Sequence, residues 1–207
     1  MGTSSSWNYR QLLDGVLFES SNLVIRAAQQ ADLTELVDLL STSFHSHSGM
    51  TRWFLPILRM GMYEDLRQRL RSPASADYIC LVAIAAPSTP HASIVGTVEV
   101  ALRSVYPLQI RSLPYPYLSN LAVQPAYRRR GVAQKLLKAC EEIVLSQGLQ
   151  DLYLHVLEDN YPARQLYFKV DYGLKQSDPF WCSWLFRQPR RFLLHKQLTA
   201  GLTHLWG

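Results

Sequence analysis

Residues 117–133, Tyr-Leu-Ser-Asn-Leu-Ala-Val-Gln-Pro-Ala-Tyr-Arg-Arg-Arg-Gly-Val-Ala, join an apolar extended run directly to the start of a helix, and few folds accommodate such a junction. Residues 117–123 read as a strand that Pro125 ends. From Val132 the apolar residues Leu136, Leu137, Cys140, Val144 and Leu145 return at helical spacing. The turn carries Arg128, Arg129 and Arg130, then Gly131, with the small Ala133 two positions on. Cations at a helix N-terminus oppose the macrodipole by about 0.3–1 kcal/mol each when exposed, so three in succession imply a negative ligand. The first amides of a helix lack internal partners, and a glycine lets a phosphate come close to them. Three solvated arginines at a surface turn are the alternative that this stretch alone leaves open.

The rest of the chain bounds the possibilities. A length of 207 residues suits one domain with a sizeable core, and 48% hydrophobic with 18% charged residues describes a globular chain. No apolar run approaches the roughly 20 residues that span a bilayer, and residues 1–20 lack a signal-peptide core. The expected organisation is an N-terminal extension over residues 1–20, a single domain over 21–200 and a tail over 201–207. Cys80, Cys140 and Cys182 are odd in number and set among apolar neighbours, as reduced thiols would be, and none forms a metal pair. The expected location is therefore cytoplasmic, or an organelle stroma for a eukaryotic source. Met1-Gly2-Thr3-Ser4-Ser5-Ser6 formally fits a myristoylation pattern. The net charge of +5 suits either nucleic acid or an anionic cofactor.

In chain order, residues 23–28 read as a first strand. Asp32 is placed to cap a helix whose apolar face is Leu33, Leu36, Val37, Leu39, Leu40 and Phe44. A second helix covers 57–71, and strands at 78–86 and 93–103 read as a hairpin. Glu99 falls on the face opposite the valines, as a solvated or hydrogen-bonded carboxylate. The helix after Gly131 stops at Gly148. Residues 152–157 are apolar on both faces, as a strand covered on both sides would be. Pro162 suits the first turn of a short helix through Val170, and residues 172–176 and 192–197 supply closing strands. His45 and His47 lie close together, but no carboxylate or third ligand is near, so no metal site is expected.

Arg128-Arg129-Arg130-Gly131-Val132-Ala133, set after Leu-Ala-Val-x-Pro and followed by Asn160 and Tyr167, resembles the pyrophosphate loop and second motif of the GCN5-related N-acetyltransferase (GNAT) family. The resemblance covers about residues 23–198 and is tightest over 117–172. It implies an α/β (α+β) fold: a mixed, mostly antiparallel sheet with a splayed parallel strand pair, flanked by about four helices. It implies acetyl-CoA as cosubstrate. By matched position the backbone of Leu121, Ala122 and Val123 would pair with the pantetheine arm, and the amides of Arg129, Arg130, Gly131, Val132 and Ala133, with the Arg128–Arg130 side chains, would hold the diphosphate. Asn160 would hold the arm and Tyr167 would protonate the departing thiolate. Where the family has a glycine after this helix, the chain has Asp171, which also tolerates the left-handed conformation.

His155 and Tyr117 match a histidine and tyrosine that relay the acceptor's proton in some protein N-terminal acetyltransferases of the family. A buried core histidine and an ordinary core tyrosine remain the alternatives for His155 and Tyr167. The resemblance thus points to acetyl transfer by direct attack of a primary amine, on a protein α-amine or a lysine. A small-molecule amine acceptor, a non-catalytic acyl-CoA binder and a basic nucleic-acid binder stand as alternatives. Phe44, Trp53 and Phe54 are candidate acceptor contacts. The aromatic run 179–186 suits a core plug, a peptide wall or a dimer patch, so monomer and homodimer both stay open.

Overall fold

A computed structural model describes residues 16–20, 22–44, 55–71, 77–85, 92–103, 114–178 and 189–199. The strands are β1 (Val16–Ser20), β2 (Leu23–Ala27), β3 (Tyr78–Ala85), β4 (Ser93–Arg103), β5 (Tyr115–Val123), β6 (Asp151–Leu157), β7 (Gly173–Ser177) and β8 (Arg191–Gln197). They hydrogen-bond in the order β1-β2-β3-β4-β5-β6-β8-β7, with β5 and β6 parallel. The helices among the described residues are α1 (Leu33–Phe44), α2 (Leu55–Arg71), α3 (Val132–Ser146) and α4 (Tyr161–Lys169). None is long and apolar enough to cross a membrane. The chain groups into two compact units, Met1–Ala101 with Asn120–Ala139, and Leu102–Ser119 with Cys140–Gly207.

In the first unit β1, β2, β3 and β4 form antiparallel ladders. The expected hairpin of β3 and β4 is present. Residues 16–20, expected to lie in an extension, instead form β1 against β2. Their pattern is too short to separate strand from loop by periodicity, and only the neighbouring β2 edge makes them a strand. The helical spacing of α1 delivers Leu33, Leu36, Val37, Leu39 and Leu40 to a core with Leu66, Cys80, Val82, Ile94 and Ala122. Asp32 precedes α1 as expected, but its carboxylate turns back, accepting from the Gln29 amide at 2.7 Å and from both Arg26 guanidinium nitrogens at 2.7 and 2.9 Å. Glu99 is only 1% exposed, so the solvated version of its reading fails. It accepts from Arg69 Nη1 at 3.2 Å, because α2 covers this face of β4.

In the second unit β6 pairs with β5 on one side and β8 on the other, and β7 lies on β8. β5 starts at Tyr115, earlier than the sequence suggests, since Pro116 is compatible with extended backbone and only lacks an amide to donate. The expectation that β6 is covered on both faces is wrong. Leu152, Leu154 and Val156 are buried, while His155 and Leu157 on the other face are exposed. Apolar composition alone cannot report this, because Tyr153 and Leu157 read as core residues, whereas Tyr153 is half-buried and Leu157 exposed.

Gly96 in β4 sits against α3, where an added Cβ would lie 3.1 Å from both Leu136 Cδ1 and Val132 Cγ1 and 3.2 Å from the Ala122 carbonyl oxygen. Gly96→Ala is expected to destabilise the fold by about 1–2 kcal/mol, overpacking outweighing the reduced chain entropy. Thermal unfolding measures this as a lowered Tm.

Candidate active site

The turn between β5 and α3 carries the three arginines and Gly131. Pro125–Tyr127 form a 3₁₀ turn and α3 begins at Val132. Arg129 (φ 62°) and Gly131 (φ 80°) are both left-handed, which folds the backbone back before the helix. The Lys135 amide is bonded to the Gly131 carbonyl at 3.1 Å, so the amides of residues 132–134 precede the first helical bond. The space a side chain at Gly131 would take is open, with Gln134 Oε1 nearest at 4.0 Å. Arg128 donates through Nε to the Val123 carbonyl at 3.1 Å, and the three arginines are exposed. Free amides, a side-chain-free glycine and three cations fit a diphosphate. Just upstream Leu121 and Val123 are half-buried and Ala122 is buried, its carbonyl directed at Gly96.

The second unit holds the titratable groups. The β5–β6 register sets Tyr117 against Tyr153 and Leu118 against Leu154, and the ladder goes no further. Tyr117 and His155 therefore share a face, and the Tyr117 hydroxyl lies 2.8 Å from His155 Nδ1. Tyr117 is buried and His155 is exposed, with its Nδ1 edge against the tyrosine. The Arg103 guanidinium stacks 3.7 Å from the centre of the Tyr117 ring. Partial burial, then the positive charge of Arg191 and of Arg103, hold His155 below the usual imidazole value, while Asp178 pulls the other way. His155 is accordingly neutral at pH 7 and able to accept a proton. Burial raises the Tyr117 hydroxyl and Arg103 opposes this.

Past His155, the turn from β6 into α4 is fixed by the Glu158 amide on the Arg190 carbonyl at 2.8 Å and by the Glu158–Arg190 ion pair. Asn160 is the N-cap of α4, its Oδ1 accepting from the Ala163 amide at 3.2 Å. Its NH₂ group carries two further donors. Tyr167, two turns along, is buried and packs edge-on to Tyr172 at 5.9 Å. Burial, with the nearby Tyr117, raises its pKa, so the hydroxyl keeps its proton through the physiological range. Asp171 takes the left-handed conformation (φ 68°) in the turn after α4, as its residue type allows.

The sequence pattern of the acetyltransferase (GNAT) family matches residues 35–172, more than half of the chain. This chain is a GNAT protein. GCN5-related N-acetyltransferase 10 of Arabidopsis thaliana, a chloroplastic protein, is 31% identical to it over 154 residues, which are 71% of this chain and 60% of the relative. The chain thus spans well under the full length of that relative. Among solved GNAT folds, PaiA N-acetyltransferase of Thermoplasma acidophilum in complex with coenzyme A superposes with a TM-score of 0.64 at 18% identity, over 84% of this chain and 98% of that one. Arabidopsis thaliana NAA60 with acetyl-CoA gives 0.63 at 16% identity, over 84% and 98%. The likeness to both is one of fold.

Two features of this GNAT chain escape sequence reasoning. Arg103 was legible only as the last residue of a strand, and its stacking on Tyr117 depends on β4 and β5 strand ends that no local pattern links. Asn120 (φ 52°) kinks β5 in mid-strand; an asparagine inside an otherwise apolar run was the available signal. Phe44's side chain, Trp53, Phe54, His45, His47 and the run 179–186 with Cys182 fall outside the described residues.

The electrostatics of His155 can be read directly. In an NMR titration its imidazole midpoint is expected below 6.5. It should rise in Arg103→Gln, because removing a nearby cation favours the imidazolium, and fall further in Asp178→Asn.

Proposed function

We propose that this chain is an acetyl-CoA-dependent N-acetyltransferase acting on a primary amine, with a protein N-terminal α-amine preferred over a lysine. The observation that carries the acceptor side is the Tyr117–His155 hydrogen bond on an open sheet face, and family membership supports the rest. When bound, acetyl-CoA supplies a thioester whose carbonyl carbon is the electrophile. Amides from Arg129 to Ala133 and the side chains of Arg128, Arg129 and Arg130 hold the diphosphate. Main-chain groups of Leu121, Ala122 and Val123 and the Asn160 NH₂ hold the pantetheine arm.

His155, oriented through Nδ1 by Tyr117, takes a proton at Nε2 from the acceptor ammonium, directly or through water, which frees the amine lone pair for attack. Tyr167 Oη gives its proton to the departing sulfur. A neutral imidazole of lowered pKa is a weak base. It suits an α-ammonium of pKa about 8 better than a lysine of about 10.4. The chloroplastic location of the Arabidopsis relative favours an organelle stroma over the cytoplasm for this chain, which fractionation of its source tests.

Acetyl-CoA with a mixed peptide library, read by mass spectrometry, should yield mainly α-amine products; lysine products alone would reverse the preference. Tyr167→Phe should lower kcat by about 100-fold while calorimetry finds coenzyme A affinity nearly unchanged. Gly131→Val should do the opposite, weakening coenzyme A binding first, because a β-branched residue resists a φ of 80° and fills the open space.

Activity depends on pH with a definite sign. His155 works as the neutral base, so kcat/KM should fall as pH drops through a value below 6.5, and this limb should vanish in His155→Gln.

A further inference from the structure

Among the described residues, the face of β6 opposite its buried side carries more than the Tyr117–His155 pair. Tyr153 lies beside Tyr117 in the β5–β6 register and opposite His195 in the β6–β8 register. The His195 ring stacks on Tyr153 at 4.6 Å, and Lys175 of β7 reaches back across β8 to place its ammonium 5.5 Å from the Tyr153 ring centre. With Arg103 on Tyr117 and Tyr115 edge-on to Tyr153 at 5.1 Å, the face presents three described tyrosine rings, two of which bear a cation. Arg103 and Lys175 are both exposed. The carboxylates nearby are already engaged, Asp151 by His195 at 2.6 Å and Asp178 by Arg191 at 2.9 Å. What the face offers a ligand is therefore positive charge on aromatic ground.

We infer that this row, from Arg103 and Tyr117 through Tyr153 and His195 to Lys175, is the docking surface for the acceptor's downstream residues, and that it selects peptides with acidic side chains a few residues after the reactive amine. The inference rests on the proposed acetyl transfer at His155. Charge complementarity argues for the occupant: among the described residues neither Arg103 nor Lys175 is paired with a carboxylate, so an acidic side chain meets available charge, whereas a basic peptide meets two like charges. Dimensions fix the spacing. The backbone of Lys175, at the bulge between Leu174 and Gln176, stands level with Leu154 and His155 of β6 and two strands over, roughly 10 Å away. An extended peptide rising about 3.3 Å per residue covers that distance by its fourth or fifth residue.

The test uses the full chain with saturating acetyl-CoA and three peptides that share residues 1–3 and differ only at positions 4 and 5: Asp-Glu, Ser-Gln or Lys-Arg. Wild-type kcat/KM should favour the acidic over the neutral peptide by about three- to tenfold at low ionic strength, with the advantage fading at high salt. Lys175→Glu should remove or invert that order while leaving the neutral peptide within about twofold. Equal use of acidic and neutral peptides by the wild type, or an equal loss for all three in Lys175→Glu, overturns the inference.

Fluorescence anisotropy of the labelled peptides separates this from the catalytic reading. Selective binding of the acidic peptide, lost in Lys175→Glu, sustains the docking surface even if no peptide is acetylated. Acetylation without discrimination in either assay sinks the docking surface alone. Equally strong competition by a single-stranded oligonucleotide, at matched charge, would assign the row to nucleic acid instead and also overturn it.

Discussion

The two-rung parallel ladder of β5 and β6 governs the candidate chemistry. Tyr117 opposite Tyr153 and Leu118 opposite Leu154 are the whole of it. A slip of one residue would turn every side chain of β6 over, sending His155 into the space now filled by Leu154 and Val156. The buried face prevents that slip, since Leu152, Leu154 and Val156 are at most 5% exposed. Apolar packing on one side of the strand thus fixes the hydrogen bond on the other. Ending the ladder after Leu118 leaves the following main-chain groups of β5 free of β6, and the Asn120 kink lies in that part of the strand.

Charge placement then refines what register has set. Partial burial first, and then more positive than negative neighbours, favour the neutral form of His155. Tyr167 is treated in the opposite manner, sheltered from water so that its proton stays in place. Two groups of similar reach are thereby driven to different protonation states by their surroundings, one accepting and one donating. The turn before α3 follows a third arrangement, its backbone dipoles set beside three exposed arginines.

Much of this was legible in the residues. The strand–glycine–helix junction, the β3–β4 hairpin, the short helix opened by Pro162 and the left-handed Asp171 follow from local rules, which act over a few residues and leave strong marks in sequence. The Tyr117–His155 pairing was reached only through family resemblance, because the two residues come together by strand register across 38 positions. What stayed hidden was non-local. Whether β6 is covered on one face or two depends on where the helices lie, and the choice between a solvated and a hydrogen-bonded Glu99 is made only by α2, which brings Arg69 over it. Arg103 belongs to the same class, an ordinary cation made specific by a ring from another strand.

The thiols have a practical consequence. Cys80 is buried beside Thr97, and burial pushes its thiol up to about 12, while Cys140 is fully enclosed. Neither presents a thiolate to solvent in the folded protein. An aromatic disulfide reagent added to follow coenzyme A release would therefore colour with the liberated product and pass over these two cysteines, so neither of them adds to the signal of turnover.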